Sequence, residues 1–254
     1  MVFEQPLTER VRTFLRLEFL FAQRRHHALD HSDFGVRANL HALLDVLALT
    51  ARSDLKSEVI KDIQEQENFL RKRPQVLVGL DARQTLEGLA NVLKAVQRMP
   101  THFAGATLRA HEFLDALAKR TAIPGGAASF DLPAVHRWLH EPAELIAADC
   151  DRWFAHFAAY EAAVAACLHT LRHAGATEGH TAPAGVYLYT PPKDVLHQLL
   201  RVQLPQGANL YPEISAGRHR YSLRFMAQGN VDARAQQATG VVSFSLQCCS
   251  LTAA

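Results

Sequence analysis

The chain has little cysteine: four residues in 254, at Cys150, Cys167, Cys248 and Cys249. None forms a Cys-x-x-Cys pair, which excludes the common cysteine zinc frameworks. Cys248 and Cys249 are adjacent, so they alternate across a strand and are poorly placed to bond to each other. Reduced thiols and a cytoplasmic chain are the expectation. Long apolar runs are also missing. No stretch reaches the roughly 18 apolar residues of a membrane span, and Met1-Val2-Phe3-Glu4-Gln5-Pro6 has no basic segment leading into an apolar core, so no signal peptide is expected. An excess of one charge is absent too. Lys and Arg number 27 against 25 Asp and Glu, a net charge of +2, which weighs against a dedicated nucleic-acid binder. Finally, GxSxG, a Walker loop and a strand-borne GxGxxG are missing, and Gly125-Gly126 lacks the Lys-Ser/Thr that would hold a phosphate. The expectation is a non-enzymatic protein without a cofactor.

What is present reads as an ordinary globular chain, 48% hydrophobic and 20% charged. Up to about Ala174 the pattern is helix after helix. Val11, Phe14 and Leu15 form one stripe, Val36, Leu40, Leu43, Leu44 and Leu47 a second, and Leu55, Val59, Ile60 and Ile63 a third. Further stripes run through Leu86, Leu89, Leu93 and Val96, then Leu108, Leu114 and Leu117. Trp153, Phe157, Tyr160, Val164, Cys167 and Leu171 recur every three or four residues, which predicts one continuous helix from Ala143 to Arg172. After Gly175 the pattern changes. Gly179 to Pro183 reads as a linker, and short extended runs follow at 185–189, 199–204, 218–226 and 241–248, separated by Pro and Gly. Helices segregated from strands predict an α+β fold. The expected division is a mainly helical domain over residues 1–178 and a small antiparallel β-sheet domain over 179–254, with 123–131 as a candidate extra strand of the sheet domain.

Three constellations stand out. On Arg218 to Phe225, alternation places Arg218, Arg220, Ser222 and Arg224 on one face and His219, Tyr221, Leu223 and Phe225 on the other. Guanidiniums in a row grip carboxylates, and an acidic or mixed-charge peptide is a fitting partner class. A solvated outer face accounts for the same pattern, and a nucleic-acid-binding regulator using this basic face is the alternative function. On the first helix, Arg12 and Arg16 share a face; most arginines there can pair with Glu9 and Glu18, and burial of Arg16 is open. His136 and His140 have the i, i+4 spacing of metal ligands, but Arg137-Trp138-Leu139 between them supplies no HExxH, and packed or interface histidines are the reading. No metal site is expected.

The run Ile123-Pro124-Gly125-Gly126 followed by Ser129-Phe130-Asp131-Leu132-Pro133 and Trp138-Leu139-His140 combines a rigid turn, a short extended piece and a helix start, with Asp131 as candidate cap for the helix that Pro133 begins. Together with Phe3-Glu4-Gln5-Pro6-Leu7, Arg12 to Glu18, Leu43 to Val46, Leu210 to Ser215, Arg220, Arg224-Phe225-Met226 and Cys248-Cys249, it resembles the ZapD family of bacterial cell-division proteins over essentially the whole chain. Ala127-Ala128 and Glu112 depart from the family pattern. The resemblance implies a cytoplasmic homodimer, concentrated at the midcell division ring, that binds the C-terminal tail of FtsZ and crosslinks or bundles FtsZ filaments. It implies Arg220 and Arg224 as tail-binding residues, with Arg218 beside them. Arg16, Arg52 and His136 are weaker candidates for filament association. Neither a nucleic acid nor a membrane is among the expected partners.

Overall fold

The computed structural model describes residues 1–51, 54–100, 105–192, 195–217 and 220–251. Their order is β1 (Val2–Pro6), α1 (Glu9–His27), α2 (Asp33–Thr50), α3 (Leu55–Lys72), α4 (Ala82–Arg98), α5 (Ala106–Arg109), α6 (Glu112–Thr121), α7 (Pro133–Trp138), α8 (Ala143–Ala155) and α9 (Ala158–Arg172), then β2 (Thr177–Ala182), β3 (Val186–Tyr189), β4 (Leu199–Gln203), β5 (Leu210–Gly217), β6 (Arg220–Ala227), β7 (Gln236–Gln237) and β8 (Val242–Cys249). The fold is α+β. Four helices start on side chains that accept an otherwise orphaned N–H: Thr8 from Val11, Ser32 from Gly35, Asp54 from Ser57 and Asp81 from Gln84. Contacts group the chain into two compact units, one of residues 1–12, 64–88 and 167–254, the other of 13–63 and 89–166.

The first unit is built on two four-stranded arrangements. One sheet has the order β1-β4-β8-β2, and the other runs β3-β6-β5 with β7 also paired to β6; all the pairings are antiparallel. Period-two alternation turns Leu200 and Val202 of β4, Tyr221, Leu223 and Phe225 of β6, and Val242, Phe244 and Leu246 of β8 into one shared apolar core. The expected linker Gly179 to Pro183 falls mostly within β2, whose Thr177–Ala182 pair along their length with β8. The first strand, β1, closes the far side of its sheet by pairing with β4, 197 residues away at Glu4↔Arg201. On that sheet's other face Glu4 accepts hydrogen bonds from Arg172 and Arg201, while Arg201 and Gln247 also donate to the Arg172 carbonyl at the end of α9. A polar network thus ties the helix end to three strands.

The second unit is helical. Phe14, Leu17 and Phe21 of α1, Leu40 and Leu43 of α2, Ile63 of α3, Leu89 of α4 and Leu114 of α6 are all but fully buried. Trp138 and Trp153 lie 5.7 Å apart, each close to the Phe113 ring, and Trp138 donates to Asp149 at 2.8 Å. The predicted continuous helix from Ala143 is instead two, α8 and α9. Phe157 N–H bonds the Phe154 carbonyl at 2.8 Å, an i→i−3 bond that interrupts the i→i−4 ladder with neither Pro nor Gly present. The candidate strand at 123–131 is a series of turns: Gly126 N–H bonds Ile123 O, Ala128 N–H bonds Gly125 O, and Asp131 N–H bonds Ala128 O. Gly125 takes φ +73°, and a Cβ on Gly126 would stand 2.4 Å from the Arg120 carbonyl, so both glycines are required for steric reasons. Arg37 clamps the same turn by donating to Ala127 O at 2.6 Å. Asp131 does not cap α7. That helix starts on Pro133 without a side-chain cap, and Asp131 lies 3.7 Å from Arg120 instead.

Candidate partner-binding face

The outer face of the β3-β6-β5 sheet follows from its register. Along β6, Arg220, Ser222, Arg224 and Met226 alternate with the buried Tyr221, Leu223 and Phe225, so the first set points away from the core. Opposite Arg224 stand Val186 on β3 and Glu213 on β5; opposite Ser222 stand Leu188 and Ser215; opposite Arg220 stands Gly217. Between Arg220 and Arg224 the face therefore carries three columns: arginines flanking Ser222 in the middle, an apolar column on one side and a small or acidic column on the other, with Tyr211 and Met226 paired beyond Arg224.

Arg220 and Arg224 are both exposed. At ~3.3 Å per residue their Cα atoms are about 13 Å apart, a span that long guanidinium side chains can close or widen. Neither has an ion pair with a described residue, although Glu213 is Arg224's direct cross-strand neighbour. Their donors remain available for carboxylates from outside, where bidentate, charge-assisted hydrogen bonds give both strength and orientation. Beneath them the core holds the strand rigid. The Tyr221 hydroxyl meets His197 Nδ1 at 3.1 Å, burial pushes the Tyr221 phenol up to about 12, and burial holds the His197 imidazole below its ordinary value. A neutral pair in the core keeps β6 in register without adding charge behind the arginines.

The remaining sequence candidates are distributed differently. Arg218 and Arg52 lie outside the described residues. Arg16 is exposed on α1 rather than buried, and among the described residues it has no ion pair. His136 is exposed on α7, its ring 4.7 Å from that of His140, while His140 Nδ1 is 2.8 Å from the His136 carbonyl. Among the described residues no group of three or more His, Cys, Asp and Glu could hold a metal ion. Arg16 and His136 both belong to the helical unit, whereas Arg220 and Arg224 belong to the sheet unit. Arg201 is not on the arginine face; it is held on the other sheet by Glu4. Sequence reading missed the apolar column. The extended run 185–189 was legible, but which of its residues lie beside the arginines depends on the β3–β6 register.

The model of the cell-division protein family ZapD matches residues 15–224. This chain belongs to the ZapD family. Relatives with the name cell division protein ZapD include one from Methylococcus capsulatus, 35% identical over 99% of this chain and 98% of its own length. One from Bordetella petrii is 34% identical over 98% and 99%, and one from an Azoarcus species is 32% identical over 98% and 99%. The ZapD match includes β6 as far as Arg224, so the arginine face lies within the family's shared region. Among the described residues of this ZapD-family chain no single helix is long and apolar enough to cross a membrane.

Proposed function

We propose that this ZapD-family chain binds the C-terminal tail of FtsZ and, as a homodimer, crosslinks FtsZ filaments during assembly of the cytoplasmic division ring at midcell. The observation that carries the reading is the pair Arg220 and Arg224, exposed on one rigid strand and with no ion-pair partner among the described residues. A short flexible tail loses conformational entropy on binding, so each contact is weak. A dimer presents two copies of the face, and a filament presents many tails. Bridging then gains from avidity rather than from any single strong contact. Arg218 is proposed beside Arg220 and Arg224 as a tail contact, and Arg16, Arg52 and His136 as weaker contacts toward the filament.

Low-speed sedimentation of FtsZ with GTP tests this. The wild-type chain should pellet full-length filaments and leave tail-deleted FtsZ in the supernatant, and Arg220→Ala/Arg224→Ala should abolish pelleting while retaining its circular dichroism spectrum. Charge-assisted contacts also weaken as salt screens them, so bundling should decline across a salt series. Pelleting of tail-deleted filaments by the wild-type chain, or by the double variant as well as by wild type, overturns the assignment.

A further inference from the structure

The solvent side of β3 is apolar where an antiparallel strand with one buried face is ordinarily polar. Tyr187 and Tyr189 turn toward the core, so Val186 and Leu188 turn outward, and Leu188 is 56% exposed. Single exposed aliphatics are unremarkable on a protein surface. This one has a specific setting: it stands directly across from Ser222, midway along β6 between Arg220 and Arg224. Ser222 is small, so no long side chain on the central strand separates the Leu188 methyl groups from the space between the two guanidiniums. Val186, opposite Arg224, extends the apolar strip toward one arginine. On the far side of β6 the neighbours are Glu213, Ser215 and Gly217. Between Arg220 and Arg224 the face is thus polarised across its width, with aliphatic side chains on the β3 side of the cationic column; Tyr211 on the β5 side lies beyond Arg224, across from Met226.

We infer that Leu188 is an apolar anchor point for the bound peptide, and that the face selects an acidic peptide in which an aliphatic side chain lies next to a carboxylate. The carboxylate engages Arg220 or Arg224 while the aliphatic side chain covers Leu188 and Val186. Glu213 on the opposite side disfavours a peptide laid with its carboxylates toward β5. This inference rests on the tail-binding reading above. It adds what arginines alone do not supply, because two guanidiniums attract any acidic segment, whereas an apolar contact beside them discriminates among such segments.

The test is fluorescence anisotropy of a labelled synthetic FtsZ C-terminal tail peptide with the full chain, its Leu188→Ser and Leu188→Met variants, and Arg220→Ala/Arg224→Ala, at low and high salt. Covering about half of the exposed Leu188 surface corresponds to about tenfold in Kd. Leu188→Ser should therefore weaken binding about tenfold at both salt concentrations, and Leu188→Met should restore most of the affinity. The loss caused by the arginine variant should shrink as salt rises, because wild type then loses the same screened contribution. Leu188 is exposed, so its variants should keep the wild-type melting temperature. If wild type binds, the arginine variant fails and Leu188→Ser binds like wild type, Leu188 has no such role while the tail reading stands. If wild type does not bind the tail peptide, both readings fall.

Discussion

Replacing Glu4 by Gln should loosen the sheet unit in a pH-dependent way. The Glu4 carboxylate accepts Arg172 Nε at 2.8 Å on one oxygen, Arg172 Nη2 at 2.8 Å on the other and Arg201 Nε at 2.9 Å. Glutamine keeps one oxygen and turns an NH2 group toward guanidinium donors. Hydrogen bonds to charged groups contribute about 1.5–3 kcal/mol each and are not additive. The carboxylate side chain is 20% exposed and both arginines keep some water contact, which puts the loss for the whole cluster at about 2 kcal/mol. Burial alone would raise the Glu4 pKa, but the hydrogen bonds and charges of Arg172, joined by those of Arg201, outweigh it and hold the group below its ordinary 4.5. A depressed folded pKa means that the stabilisation is present above the unfolded value and disappears as pH falls through the folded one. The difference between wild type and Glu4→Gln should therefore be full at pH 7 and shrink below about pH 4. Urea unfolding followed by far-ultraviolet circular dichroism at pH 7 and pH 3 measures it. A difference below about 0.5 kcal/mol at pH 7, or one of equal size at pH 3, would refute the reasoning.

Two other perturbations have defined outcomes. Gly126→Ala would place a Cβ 2.4 Å from the Arg120 carbonyl, so the turn must shift; a loss of about 2 kcal/mol, or roughly 4–8 °C in melting temperature, is expected by thermal denaturation, and an unchanged melting temperature would mean that the turn yields freely. Burial pushes the thiols of Cys150, Cys248 and Cys249 up to about 12, so at pH 8 a chromogenic disulfide should label these three slowly in the native chain and promptly in urea; fast native labelling would contradict the burial of Cys150 and Cys249 and the half-burial of Cys248.

Much of the fold is legible because burial on one side imposes a period. The stripes of α2 and α3 and the alternation in β4, β6 and β8 follow directly from the apolar positions. Strand β2 was not legible, because Thr-Glu-Gly-His-Thr-Ala has one core residue, Ala182, and is held by pairing with β8 rather than by its own pattern. Nor was β1, whose partner β4 is remote in sequence. The break between α8 and α9 leaves the three-and-four spacing intact, so periodicity does not reveal it. At the candidate partner-binding face the arginine alternation was visible, since it depends on one strand only. The Leu188 column and the diversion of Arg201 to Glu4 depend on strand register and on a contact with a distant residue, which no local pattern encodes.

The paired indoles of Trp138 and Trp153 have an optical consequence. They are the chain's two tryptophans, both buried in the helical unit, whereas Tyr187, Tyr189, Tyr211 and Tyr221 lie in the sheet unit. Light absorbed above the tyrosine band therefore excites one unit alone. Its emission spectrum is a built-in, label-free gauge of the helical unit, and a colour change on adding a peptide directed at Arg220 and Arg224 would register that the helical unit had responded.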